Sequence, residues 1–157
     1  MDIGSKSGWP ASSLSNFAPH PFVFNGVECA SMEGLLQSFK FDKPHIQEVV
    51  CTLTGLTAKR RGQKRNKAWK SKQTLWWKGK EYKRDSKEYQ ELLDWAFAAL
   101  SENTSFERAL LATNDAVLTH KIGRNKISET VLTQAEFCSR LMKIRNLLKL
   151  SKSLGGA

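Results

Sequence analysis

The sequence predicts an α+β fold, mainly helical, with a small β-sheet that includes an N-terminal hairpin. Three observations lead there. Two short runs of alternating apolar residues flank an Asn-Gly pair near the N-terminus. Apolar residues then recur at helical spacing through most of the chain, and several of these stretches open on a capping residue. No linker, repeat or low-complexity block interrupts residues 14–150, so one domain is expected there.

The elements follow in order. Residues 1–13 are rich in Ser and Gly and are expected to form a flexible arm. Phe22-Val23-Phe24 and Val27-Glu28-Cys29 read as paired strands. Asn25-Gly26 joins them, because both positions tolerate the positive φ of a two-residue turn. Ser31 caps a helix running to about Phe41. Pro44 opens a second, through Leu53, at the one helical position where a missing N–H is harmless. Leu56 to Gln63 and Ala68 to Trp77 are expected as two further short helices. Ser86 starts the clearest amphipathic helix, with Tyr89, Leu92, Leu93, Ala96, Phe97 and Leu100 on one face. Thr104-x-x-Glu107 is a capping box opening a helix to Ala112. Val117-Leu118-Thr119 resembles a short strand. Thr133-x-x-Glu136 is a second capping box, leading a helix that turns Phe137, Leu141, Ile144 and Leu148 inward. Residues 151–157 are expected to fray.

Composition narrows the function. The 157 residues suffice for a core, and no apolar run approaches the ~20 residues of a membrane span. Met1-Asp2-Ile3-Gly4-Ser5-Lys6 lacks the apolar core of a signal peptide, so a cytoplasmic protein with no membrane partner is expected. Cys29, Cys51 and Cys138 are scattered and odd in number, which points to reduced, buried thiols and to neither a zinc site nor a disulfide framework. The net charge is +10, and thirteen Lys/Arg lie between Lys59 and Lys87 against two acids, Glu81 and Asp85. Such a field attracts phosphates. With Trp69, Trp76 and Trp77 interleaved for stacking, this stretch supports a nucleic-acid-binding reading, set against a plain solvated surface.

One helix carries a candidate for chemistry. At about 100° per residue, Met32, Leu35, Leu36 and Phe39 fall near 0°, 300°, 40° and 340° and form an apolar stripe. Glu33, Gln37 and Lys40 fall near about 100°, 140° and 80°, a narrow polar stripe at the border of the core. A carboxylate at that border, held by its i+4 amide, suits an acid, a base or a cation stabiliser. On spacing alone the plainer role, a Glu that complements the helix dipole, is the stronger reading.

Leu14-Ser15-Asn16-Phe17, then Pro21-Phe22, Asn25-Gly26 and Met32-Glu33-x-x-x-Gln37-x-x-Lys40-Phe41 resemble the NADAR family, the YbiA-like N-glycosidases. Ala58-x-x-x-Gly62, Trp77, Leu110-Leu111-Ala112-Thr113 and Leu141-Met142-x-x-Arg145 extend the resemblance from about Leu14 to Leu148. It implies a pocket that binds a ribosyl or ADP-ribosyl group and cleaves its N-glycosidic bond. Implied substrates are phosphorylated riboflavin-pathway intermediates or ADP-ribosylated guanine; the basic Lys59–Lys87 stretch, by its charge alone, adds ADP-ribosylated nucleic acid as an expected partner. The implied reaction needs no metal and no cofactor. The resemblance assigns Glu33 as the catalytic carboxylate, and Asn16, Phe17, Gln37, Lys40 and Trp77 as substrate-binding residues. Many members follow Leu-Leu-Ala-Thr with Leu-Val-Glu and a Trp-Gly pair. Here Leu118-Thr119-His120-Lys121-Ile122-Gly123-Arg124 stands instead, so His120 takes the place of the second acid. A Thr-His-x-Ile-Gly branch, with Glu129-Thr130-Val131-Leu132-Thr133 and Glu136-Phe137-Cys138 in register, makes His120 part of a variant catalytic site. A module that binds ADP-ribose or a nucleotide without cleaving it is the alternative that the missing acid suggests.

Overall fold

Asn25 and Gly26 adopt φ of 48° and 79°, and the chain reverses on them. Strands β1 (Phe22–Phe24) and β2 (Val27–Cys29) pair antiparallel across this turn, Val23 opposite Glu28. The period of two buries Phe22, Phe24, Val27 and Cys29 and leaves Val23 and Glu28 outside. The computed structural model describes residues 1–155.

Helix α2 (Met32–Ser38) follows and packs on α3 (Pro44–Cys51) and α4 (Gly55–Gln63). Close approach to α3 needs Gly34, where a Cβ would lie 2.6 Å from the Leu53 carbonyl oxygen. Helix α5 (Asn66–Lys72) ends at Gln73, which takes a left-handed φ of 47°. The helix expected from Ala68 to Trp77 is therefore cut short. Thr74–Trp77 forms β3, which pairs antiparallel with β4 (Lys80–Lys83) through Lys78 and Gly79, both at positive φ. The β-rich run Thr-Leu-Trp-Trp prefers the pleated surface, and Gly79 supplies the turn.

The long amphipathic helix α6 (Lys87–Leu100) is capped by Ser86, whose side chain accepts from the Tyr89 amide. Helix α7 (Thr104–Ala112) is capped one residue before the expected box, by Asn103. The second box forms as expected. Glu136 N donates to Thr133 Oγ1 at 3.1 Å and Thr133 N donates to Glu136 Oε1 at 2.8 Å, opening α8 (Gln134–Gly155). Glu136 is also gripped by both Arg84 amines and by Gln90, which ties α8 to α6 and to the end of β4. The core runs through all these layers, from Phe24 and Leu35 to Phe97, Phe106 and Leu141.

Both ends of the chain differ from expectation. Residues 1–13 are docked, with Ile3 fully buried and α1 (Ala11–Leu14) packed on α7. Val117-Leu118-Thr119 forms no ladder. It contributes a single parallel bridge, Thr119 with Asp2, and receives the Met1 amino group on the Val117 carbonyl. An apolar Ile within a polar segment is what ties this arm down. Helix α8 continues through residues 151–155, and the last two positions of the expected tail lie outside the described residues. No helix among the described residues is long and apolar enough to cross a membrane. All three cysteines are free and buried.

Candidate active site

Ser31 fixes the first turn of α2. Its hydroxyl accepts from the Gly34 amide at 3.1 Å and donates to the Leu53 carbonyl at 3.0 Å. Glu33 sits on that turn, where the loop Ser15-Asn16-Phe17 closes onto it. Glu33 N donates to the Asn16 carbonyl at 3.0 Å, and Phe17 N donates to Ser15 Oγ at 3.2 Å. One turn further, Gln37 Nε2 donates to Glu33 Oε1 at 2.9 Å. Just past the helix, Lys40 Nζ donates to Asn66 Oδ1 at 2.6 Å, and the same oxygen accepts from Trp69 Nε1 at 3.3 Å.

These residues wall a cavity of about 360 Å³. Asn16, Phe17, Glu33, Gln37 and Lys40 form one side of it; Lys59, Asn66, Trp69 and Lys70 from α4 and α5 form another. The segment from His120 to Arg124 closes the third side. His120 Nδ1 lies 2.8 Å from the Ile3 carbonyl oxygen. A carbonyl only accepts, so Nδ1 carries the proton and donates to Ile3. The Phe137 ring braces the imidazole edge-on at 5.3 Å between centroids.

The electrostatics follow from burial. Desolvation pushes the Glu33 carboxyl above the ordinary carboxylate range, while the Gln37 hydrogen bond and the charges of Lys40, Lys59 and His120 oppose it. Desolvation also pulls the Lys40 amine down to about 8; Glu33 opposes that fall, and Lys70 and Lys59 add to it. Lys40 is only 6 % exposed and forms no ion pair among the described residues. The cavity thus combines a reluctant carboxylate with a reluctant ammonium.

Two oxygens are left over. Asn16 Oδ1 and Gln37 Oε1 are buried and accept no hydrogen bond. Buried acceptors in this condition are rare, and both belong to residues lining the cavity. Two glycines preserve this geometry. A Cβ at Gly62 of α4 would overlap the Gln37 amide, and one at Gly123 would come within 2.6 Å of His120 Cδ2.

Comparison with known proteins follows from this geometry. The family model described as bacteriophage protein GP30.3 matches residues 8–146. An uncharacterized 17.1 kDa protein from the Gp30-rIII intergenic region of Enterobacteria phage T4 is 36% identical over 150 residues, spanning 94% of this chain and 98% of the relative. The chain belongs to the bacteriophage GP30.3 family. Its fold is that of the Escherichia coli protein YbiA, whose NMR structure superposes with a TM-score of 0.62 at 20% identity, covering 97% of this chain and 86% of that one. The NADAR resemblance read from motif order is thereby met at the level of fold.

In this GP30.3-family site, six of the seven expected residues share the cavity: Glu33, His120, Asn16, Phe17, Gln37 and Lys40. Trp77 does not. It is 3 % exposed, wedged between Phe24 and Phe39 at 5.1 and 5.8 Å, and belongs to the core. As part of β3, its side chain is carried inward, while the helical Trp69 lines the cavity. Asn66 escaped the sequence reading, although its place three residues before Trp69 puts both on one helix face. Lys59, Lys70 and Arg124 entered it only as charge or as part of a motif, and all three line the cavity.

Proposed function

We propose that this protein is an N-glycosidase that hydrolyses the bond between a ribosyl carbon and a base nitrogen in a phosphorylated or ADP-ribosylated substrate. The observation that carries this reading is the position of Glu33, half-buried on the cavity wall beside two unpartnered acceptor oxygens and one buried ammonium. As the C1–N bond lengthens, its electron pair leaves with the base, and positive charge grows on C1 and the ring oxygen. A carboxylate held in a desolvated wall stabilises that charge more than it stabilises the neutral ground state. Water then adds to C1, and Glu33 takes its proton. Asn16 Oδ1 and Gln37 Oε1 accept from ribose hydroxyls, and Phe17 flanks the sugar. Lys40 and Lys59 attract the phosphate, the departing base nitrogen takes its proton from solvent, and His120 binds a ribose hydroxyl through Nε2. No step of this scheme draws on a metal.

The test is release of free base from a phosphorylated riboside, or of ADP-ribose from an ADP-ribosylated base, followed by mass spectrometry, with Glu33→Gln as the control. Release by the native protein and loss of at least about a hundredfold in the variant is the expected result. Undiminished turnover in a folded Glu33→Gln protein refutes the assignment. Stoichiometric retention of an intact ligand without product would favour the binding module instead.

A polymeric substrate is favoured over a free metabolite by one feature. Lys59 on the cavity wall and Arg60, Lys64 and Lys67, along α4, α5 and the turn between them, stand exposed without an acidic partner among the described residues. That ridge exceeds what one nucleotide phosphate needs and suits a nucleic-acid backbone.

A further inference from the structure

The turn at the cavity mouth holds an apolar side chain where water is hardest on it. Ile122 lines the cavity and is 79 % exposed. Its backbone is fixed on both flanks. Lys121 N donates to Asp2 Oδ1 at 2.9 Å, Gly123 N donates to the His120 carbonyl at 2.9 Å, and Gln134 N donates to the Arg124 carbonyl at 2.9 Å. Gln134 Nε2 also donates to the Gly123 carbonyl. A β-branched side chain on so pinned a turn keeps its place, and its exposure is built in.

The surroundings define what meets it. Exposed Lys121, Arg124 and Lys126 flank Ile122, and Arg124 and Lys126 have no ion pair among the described residues. Lys59 also lines the mouth, as does Lys70, which is paired with Glu129 at 3.6 Å. An apolar tip between two cationic lips matches a chain of phosphates with base faces exposed between them. Nucleic-acid enzymes that draw one nucleotide out of a stack use an apolar wedge in this way, because the gap left by the extruded base must be filled.

We propose that Ile122 is a wedge that occupies the stack beside a modified nucleotide drawn from a polynucleotide into the cavity. This rests on the reading of the cavity as a nucleoside-processing site, and it adds the state of the substrate: a base-stacked polymer. Arg124 and Lys126 on one lip and Lys59 on the other hold the flanking phosphates.

Two measurements on Ile122→Ser test it. Ile122 is exposed and its turn is held by backbone bonds, so the variant keeps the fold, checked by circular dichroism. The first measurement compares kcat/KM on an isolated ADP-ribosylated nucleoside and on a duplex carrying the same modification. The ratio of kcat/KM on the duplex to that on the nucleoside should fall at least about tenfold in the variant. An equal fall on both makes Ile122 a cover for the ligand and overturns the proposal, as does an unchanged duplex rate. The second measurement needs no turnover. A duplex with 2-aminopurine beside a mismatch should brighten when the native protein binds, as the base unstacks, and should not brighten with Ile122→Ser. Brightening with both proteins, or with neither, overturns the wedge. Brightening that depends on Ile122, with neither base nor ADP-ribose released from any substrate, sinks the glycosidase reading and leaves the wedge standing.

Discussion

Replacing Lys40 by Met should make the protein more stable and less active. The native amine is buried and held at about 8, against an ordinary 10.5. Each pH unit of that difference corresponds to about 1.4 kcal/mol, so folding the charged lysine costs about 3 kcal/mol at pH 7. The sign is fixed by the direction. Below 8 the amine is charged in both states and the whole cost is present; between 8 and 10.5 the folded amine is neutral and the cost fades. At pH 9.5 about 1.4 kcal/mol of it remains. Met has a similar length and no charge, but Asn66 Oδ1 then keeps only its bond from Trp69, a loss of about 1 kcal/mol. The net expectation is a gain of about 2 kcal/mol at pH 7, shrinking towards zero at pH 9.5. Urea unfolding of both proteins at the two pH values measures it. A Lys40→Met protein that is less stable at pH 7, by an amount independent of pH, would mean that the ammonium is well solvated and that the desolvation argument is wrong. The same variant should raise KM for a phosphorylated substrate, since the charge that destabilises the fold is the one that draws the phosphate.

Three further outcomes follow from the site. The pH profile of base release should be bell-shaped, with an acid limb above the ordinary 4.5 because Glu33 must be ionised and burial opposes it, and an alkaline limb near 8 as Lys40 loses its proton; a Glu33→Gln control and rates at fixed ionic strength check both limbs. Gly62→Ala should push the Gln37 amide off Glu33 and lower kcat/KM by about tenfold or more, with a stability loss of about 1–3 kcal/mol from overpacking, seen together by kinetics and thermal melting. Trp77→Ala should lose about 3–5 kcal/mol of stability while ligand affinity in the surviving folded protein is unchanged, whereas Trp69→Phe, which removes the bond to Asn66 and leaves a small void, should cost about 1–3 kcal/mol and also weaken ligand binding; calorimetry on both variants separates the two tryptophans.

Where the physics was local, the sequence was readable. Asn25-Gly26 demands positive φ and names its own turn, and Ser31, Ser86 and the Thr133–Glu136 box mark helix starts because orphan amides need acceptors nearby. The polar stripe of α2 was legible for the same reason: 100° steps place Glu33, Gln37 and Lys40 beside the apolar face. Long-range facts were not. Lys78-Gly79 gives a weaker turn signal than Asn-Gly, so the β3–β4 hairpin was hidden in what read as a helix, and Trp77 went with it to the core. Asn66 meets Lys40 across 26 residues, and nothing near either position announces the other. The Ser- and Gly-rich opening looked loose because its one anchor, Ile3, finds its pocket only through residues more than a hundred positions away.

That anchor also sets an order of events. Ile3 N donates to the Thr119 carbonyl, and the Ile3 carbonyl in turn fixes the His120 ring. During synthesis the N-terminal residues emerge first, yet they must wait for residues 119–121 before they can take their place. Contacts of such long sequence separation form late, after the loop they close has lost its freedom. The helix with Glu33 can form from neighbours already made, but the imidazole wall cannot. The cavity is therefore assembled as a seam between earlier and later parts of the nascent chain, so a disturbance at Ile3 would bear directly on His120, more than a hundred residues downstream.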